Sequence, residues 1–416
     1  MERVILHSDM NNFYASVECL YQPWIRNKPV AVCGDAQARH GIVLAKNNIA
    51  KRYHIQTGEA IWEAKQKCGD LVVVPPNYEK YIHFSNVARE IYAEYSDRVE
   101  SFGLDECWLD CTESTGLFGD GKAIADKIRR RIKYELGVTN SVGVSFNKVF
   151  AKLGSDMKKP DATTVISQSD FRQKVWPLPV KELLYVGKAT SAKLNRYGIQ
   201  TIGDLAHYDV KYLKSWLGKW GVVLWRFANG LDNSPVQHLE ARPLIKSIGN
   251  SITCIRDLTC DTDVKIVVYV LAESVAERLR MNHIHCQTVQ ISIRDHTLQS
   301  FDRQGALGEC TNLSSVIAQK AFSLFARNYS WEKSGPIRSI GVRACKLSLQ
   351  EEAKQISFLP EQVKRQKQEL VEQTVDEIRS RFGHYAIGRG IMLSDPNLSH
   401  FSPKDDHVIF PVSYFK

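Results

Sequence analysis

The chain has no run approaching the roughly 18 consecutive apolar residues of a membrane-spanning helix, so a bilayer protein of helical type is excluded and no membrane partner is expected. Its ten cysteines include no CxxC pair, which excludes the usual zinc-ribbon spacing. Free thiols in a reducing compartment are expected. His283, His285 and Cys286 are close in sequence, but they lack a second ligand group at finger spacing and read as structural filler. No internal repeat and no low-complexity tract is present, so solenoid arrays and long flexible linkers are excluded. Acidic residues run short, 46 against 55 Lys and Arg, a formal charge of +9. That balance points toward a polyanionic partner without identifying one. The N-terminus opens directly on a strand-like pattern, so no signal peptide and a cytoplasmic location are expected.

What is present is an ordinary globular composition, 44% hydrophobic and 24% charged over 416 residues, enough for several domains. Up to about residue 165 the pattern is mixed α/β. Short apolar strands are expected at Val4–His7, Val30–Cys33, Val72–Val74 and Val142–Val144. Helices are expected at Phe13–Leu20, at Lys122–Leu136 from its four-residue apolar spacing, and at Asn147–Met157, which stops before Pro160. Residues from about Pro23 to Pro76 interrupt this core and read as a small subdomain. Leu183–Leu205 reads as two helices joined by glycine turns, a helix-hairpin-helix unit around Gly187, Lys188 and Gly198. Lys188 stands where that motif often has a second glycine.

Asp232–Leu244, with Pro235 and Pro243, reads as a linker. Beyond it Ile248–Ile255, Gln287–Arg294 and Ile337–Leu347 read as strands and Val264–Leu279 and Leu313–Tyr329 as helices, within an expected strand–helix–strand–strand–helix–strand order. One face of that sheet is left open and carries Arg294, Arg338 and Arg343. The remaining tail has a polar helical run at Pro360–Phe382 and an aromatic, polar end expected to be only partly ordered.

Two segments concentrate the chemistry. His7–Glu18 reads HSDMNNFYASVE and Ser101–Cys111 reads SFGLDECWLDC. Asp9 follows the apolar run Val4-Ile5-Leu6, and Asp105 and Glu106 sit at a Gly103 turn before Cys107-Trp108-Leu109. Alone, each acid is more simply a turn former or helix cap. Together, carboxylates at two strand ends can converge on one or two hard divalent ions, the arrangement that clamps a phosphoryl transfer.

Both segments resemble, nearly position for position, the two catalytic motifs of the Y-family (translesion) DNA polymerases, the group of bacterial DNA polymerase IV and the polymerase V catalytic subunit. The resemblance covers roughly the first 350 residues and implies an α+β right-hand architecture. Its parts would be a ferredoxin-like palm (1–22 and 77–166), small fingers (23–76), a helix-hairpin-helix thumb (167–233), a linker (234–243), a βαββαβ little finger (244–350) and a tail (351–416). It implies template-directed synthesis past lesions, without proofreading, from dNTP on primer-template DNA. Asp9, the Met10 carbonyl, Asp105 and Glu106 would hold two Mg²⁺ ions. Lys159, in Asp156-Met157-Lys158-Lys159-Pro160, falls on the triphosphate position, with Lys46 and Lys51 beside it from the fingers. Asn48 and Lys51 depart from the Tyr and Arg of many members, and Asn11 from their Asp. Tyr14 matches the ring that excludes a ribose 2′-hydroxyl. Gln355-Ile356-Ser357-Phe358-Leu359 resembles the peptide that docks such enzymes on the sliding clamp, through Gln355, Phe358 and Leu359. The chain is expected to act as a monomer or with accessory subunits. Two rival readings share the palm sheet: a non-catalytic DNA-binding accessory subunit, and a nucleotide cyclase. The intact acids with Lys159 argue against the first; the hairpin unit and second basic domain have no use in the other.

Overall fold

The structure is a computed structural model describing residues 2–35, 39, 41–241, 244–349 and 360–403. Gln355, Phe358 and Leu359 lie outside the described residues. Two compact units result, the first within 1–34 and 42–242 and the second within 35–41 and 243–409.

The strands, in chain order, are β1 Ile5–Met10, β2 Val30–Cys33, β3 Val43–Lys46, β4 Val72–Val74, β5 Val99–Ser101, β6 Glu106–Asp110, β7 Asn140–Ser145 and β8 Thr163–Ile166 in the first unit. β1 is buried along its whole length at the centre of a sheet ordered β5-β6-β1-β7-β8. It pairs antiparallel with β6 and β7, while β7 and β8 run parallel. One sheet face is covered by helices Phe13–Tyr21, Tyr78–Ala93 and Gly121–Arg131, which bury Val17, Ile91, Ile124 and Ile128 against Leu6 and Leu109. The Lys122–Leu136 helix read from sequence continues as a π-helical turn over Ile132–Leu136 and stops at Gly137, whose φ of 74° suits glycine.

Helix Lys148–Met157 covers the other face, its N-terminus capped by the Asn147 side chain accepting from the Phe150 amide at 2.8 Å. Its approach depends on Gly143. A Cβ there would lie 1.9 Å from the Ala151 carbonyl oxygen and 2.5 Å from the Ser155 amide nitrogen. Residues 23–76 build a separate three-stranded sheet, β3-β2-β4, with its own small core around Val43, Ala50 and Ile55.

Residues 167–233 are helical and enclose Leu194, Ile199, Ile202 and Leu213. The paired helices read from sequence are Lys188–Arg196 and Ile202–His207, separated by Gly198 at φ 80°. The expected linker does not hang free: Val236 is buried with Ile5 and Trp108, and the Leu239 amide donates to Asp97 O at 2.9 Å.

In the second unit β9 Ser247–Leu258, β10 Ile284–Asp295, β11 Ser300–Thr311 and β12 Ile337–Leu349 form a sheet ordered β11-β10-β12-β9. Helices Asp261–Met281 and Ser314–Asn328 pack on one face over Val289, Ile291, Ile340 and Val342. The tail has the expected helix at Pro360–Phe382, and the residues beyond 403 lie outside the described ones. Through residue 403 it packs on these helices, because it supplies buried partners for buried charges. Arg379 Nη2 donates to Glu273 at 2.7 Å, and Glu372 accepts from the Ser314 amide and hydroxyl at 2.9 and 2.6 Å. Burying such groups in pairs avoids the cost of an isolated charge.

Candidate active site

Alternation along β1 sends Leu6 and Met10 toward one core and Ile5, His7 and Asp9 toward the Lys148–Met157 helix. Asp9 is the register partner of Glu106, and His7 that of Trp108, so Asp9 and Glu106 stand side by side on one face. The Met10 amide donates to Asp105 O at 2.9 Å and fastens the two motif segments together at the strand ends.

Against these acids stand lysines from the facing helix and its exit. Lys159 Nζ donates to Asp9 Oδ2 at 2.6 Å and lies 2.8 Å from Asp156. Lys152 Nζ is 2.6 Å from Glu106 Oε2, 3.4 Å from Asp156 and 3.9 Å from Asp9. Glu106 Oε2 nevertheless accepts no aligned hydrogen bond, so charge rather than a directed bond holds Lys152 there. As they stand, no three His, Cys, Asp or Glu side chains among the described residues converge to hold a metal ion.

Burial pushes the Asp105 carboxyl up to about 7, with the charges of Asp9 and Glu106 adding to it. Burial likewise raises Asp9 to about 6 against the pull of Lys159. Burial acts upward on Glu106 as well, but its contact with His7 and the Lys152 ammonium prevail and hold it at about 2. Burial lowers His7 to about 4, leaving a neutral ring at pH 7, its Nδ1 2.8 Å from Ser155 Oγ. Paired carboxyls with values driven apart are typical of functional sites.

Tyr14 lies beside this cluster, its phenol pKa raised by burial and then by Tyr78 and Asp105. Its ring stacks on Tyr81 at 4.1 Å and 7°, and Tyr81 donates its hydroxyl to buried Glu18 at 2.8 Å. Lys46 ends β3 and Lys51 lies in helix Asn48–Arg52. Burial and then the neighbouring Lys46 and Lys159 ammoniums depress Lys51. Lys46, Lys51 and Lys159 therefore face one region next to Asp9. Asn48 accepts from Asn12 at 2.9 Å. Asn11 is a buried strut: its Oδ1 accepts from the Asp161 amide at 2.8 Å and its Nδ2 donates to Ser141 at 3.0 Å.

In the hairpin unit Gly187 caps the Lys188–Arg196 helix with an ordinary φ of −76°, and Lys188 is its first helical residue. The residue in the glycine-like conformation is Tyr185, at φ 68°, in the turn closed by the Val186 amide on Leu183 O at 3.0 Å. In the second unit Arg294 and Arg343 lie on the open sheet face, Arg294 opposite Ser339 and Arg343 opposite Gln290 and Gly249. Arg338 sits at the register shift between Ile337 and Ser339, which takes it out of that alternation.

Fold and site together define a polymerase palm with its appended DNA-binding parts. The chain belongs to the Y-family DNA polymerases: the profile of the impB/mucB/samB family matches residues 8–156, that family's C-terminal domain matches 245–358, and the DNA polymerase-iota thumb domain matches 181–232. Among individual proteins it is similar to DNA polymerase IV of Acetivibrio thermocellus, 58% identical over 399 residues, 96% of this chain and all of that one. DNA polymerase IV of Clostridium acetobutylicum is 35% identical over 94% of this chain and 99% of its own length. A solved Y-family DNA polymerase chimera superposes with a TM-score of 0.72 at 24% identity, covering 83% of this chain and 99% of that one, a likeness of fold.

Lys152 and His7 escaped the sequence reading. The signal for Lys152 was there in the four- and three-residue spacing of Lys152, Asp156 and Lys159 at the end of one helix.

Proposed function

We infer that this protein extends a primer 3′ end by template-directed nucleotidyl transfer from dNTP, including opposite damaged bases, using Asp9, Asp105 and Glu106 as a divalent-metal site. The observation that carries this reading is the pairing of Asp9 with Glu106 across one register, beside Asp105, under a canopy of Lys46, Lys51 and Lys159. The donor set fits a hard ion: it is all oxygen, and Glu106 Oε2 is buried without an aligned hydrogen bond. Two Mg²⁺ held by these carboxylates and the Met10 carbonyl would supply charge neutralisation to the attacking and leaving oxygens. The chain's own residues do the rest. Lys159, Lys51 and Lys46 bind the triphosphate, and their mutual repulsion is relieved when an anion lies among them. Tyr14, braced from behind by Tyr81, stands under the sugar and excludes a 2′-hydroxyl by shape.

In this reading 1–22 with 77–166 is the palm, 23–76 the fingers, 167–233 the thumb and 244–350 the little finger. The hairpin backbone at Gly187, Lys188 and Gly198, together with Arg294, Arg338 and Arg343, meets the DNA phosphates. Gln355, Phe358 and Leu359 tether the enzyme to a sliding clamp. Primer extension by the purified chain on undamaged and abasic templates tests the reading. Incorporation on both with Mg²⁺, and none in EDTA, is expected; absence of incorporation on either template with Mg²⁺ overturns it.

A further inference from the structure

We propose that Lys152 is a positioning residue that holds the carboxylate site together before metal arrives and is displaced from it by the ion. This rests on the reading of Asp9, Asp105 and Glu106 as the metal-binding carboxylates.

The Lys152 ammonium bridges the two acids that face each other across the β1–β6 register, at 2.6 Å from Glu106 and 3.9 Å from Asp9. Its side chain is only 15% exposed, so water does little to spread that charge. Acids crowded at the ends of two neighbouring strands repel one another. A cation seated among them relieves the crowding. Metal ligation by the same oxygen atoms offers the same relief at closer range, and the two cations cannot share Glu106 Oε2 in a buried site.

The structure also holds a second seat for the displaced ammonium. Asp156, which also pairs with Lys159 at 2.8 Å, lies 3.4 Å from Lys152 Nζ, one turn along the same helix, with its side chain 41% exposed. Moving to Asp156 exchanges one carboxylate contact for another and needs only a rotation of the Lys152 side chain. Lys159 differs: it donates a directed bond to Asp9 and sits nearer solvent, 30% exposed, as a ligand-binding cation should.

Mn²⁺ binding to the full chain, without DNA or nucleotide, reads this directly through the electron paramagnetic resonance signal of free Mn²⁺. Lys152→Met is expected to tighten Mn²⁺ binding by about tenfold, to melt earlier than the parent in EDTA, and to gain more melting temperature on adding Mn²⁺. Lys152→Arg restores the parent behaviour. Lys158→Met, which removes an exposed lysine six residues along, controls for net charge and leaves Mn²⁺ affinity unchanged. Lys152→Gln replaces Lys152→Met if the latter does not fold. Mn²⁺ affinity in Lys152→Met, or in Lys152→Gln where that replaces it, equal to or weaker than in the parent overturns the proposal, as does equal tightening in Lys158→Met. Asp105→Asn separates the two levels of argument. If it weakens Mn²⁺ binding, the metal reading stands whatever Lys152 does; if it does not, the metal reading falls and takes this proposal with it.

Discussion

Substituting Gly143 by Ala tests whether helix–sheet contact sets the active-site geometry. The new methyl would lie 1.9 Å from the Ala151 oxygen, 2.5 Å from the Ser155 nitrogen and 2.9 Å from the Gly154 carbonyl carbon. All three obstacles are backbone, so no rotamer change relieves the clash. Bringing the first contact out to 3.0 Å requires the Lys148–Met157 helix to retreat by about 1.1 Å, the difference between 3.0 and 1.9 Å. That helix carries Lys152 and leads to Lys159, whose 2.6 Å contacts to Glu106 and Asp9 would open beyond hydrogen-bond range. The packing cost belongs at the upper end of overpacking, about 3 kcal/mol, which lowers the melting temperature by about 6–12 °C for a unit of this size. Displacement near 1 Å at a catalytic site costs on the order of 10²-fold in rate. Thermal melting and single-nucleotide insertion at saturating DNA measure the two effects. Gly154→Ala meets Gly143 Cα at 3.1 Å and Thr164 O at 3.3 Å, and is expected to lose less. Gly116→Ala, with nothing within 4 Å, is the control. Melting and insertion like the parent in Gly143→Ala would refute the argument.

Tyr14→Ala is expected to raise ribonucleotide relative to deoxyribonucleotide insertion by orders of magnitude, because a steric exclusion is removed; unchanged discrimination in competitive insertion assays would make Tyr14 a core residue only. In EDTA, stability is expected to fall by about 0.5 kcal/mol between pH 6.5 and 8. Asp105 and Asp9 have folded values of about 7 and 6, above the ordinary 3.8, so their stabilising protons are lost as pH rises through those values. His7, lowered from 6.5 to about 4, works the other way: its unfolded ring is half protonated at pH 6.5, so its contribution rises by about 0.4 kcal/mol across this window and offsets part of the fall. Denaturant titrations should show the slope, and Asp105→Asn should remove it. Replacing Gln355, Phe358 and Leu359 together with Ala should leave synthesis on short primers intact and remove stimulation by a loaded clamp; lost basal activity would make the segment structural.

Much of this fold was legible because several strands contain short apolar runs and the helices have clean spacing, as in Val4–Leu6, Val30–Cys33 and the Ile124–Leu136 series. Asp9, Asp105 and Glu106 were legible as motifs, since each sits where a strand ends. Lys152 was not, because a lysine inside an amphipathic helix reads as a solvated charge until the facing Gly143 shows how close the sheet comes. Tyr81 was hidden in the same way, an aromatic among Tyr78 and Phe84 with nothing local to mark it as the support of Tyr14. The tail helix at Pro360–Phe382 was read, but what it packs on was not, because its composition is polar. Its order comes from Glu372 and Arg379 meeting Ser314 and Glu273, contacts 58 and 106 residues apart in sequence that no local pattern encodes. At the hairpin turn the sequence drew attention to Lys188, whereas the left-handed backbone falls on Tyr185.

The central claim is that Asp9, Asp105 and Glu106 perform metal-dependent nucleotidyl transfer, and Asp105→Ala tests it most directly. Single-turnover insertion of one dNTP on a primer-template, at saturating Mg²⁺, should be abolished in this variant. Its affinity for the same DNA should stay near that of the parent, because binding rests on phosphate contacts elsewhere. Insertion at the parent's rate by Asp105→Ala would contradict the assignment of the active site.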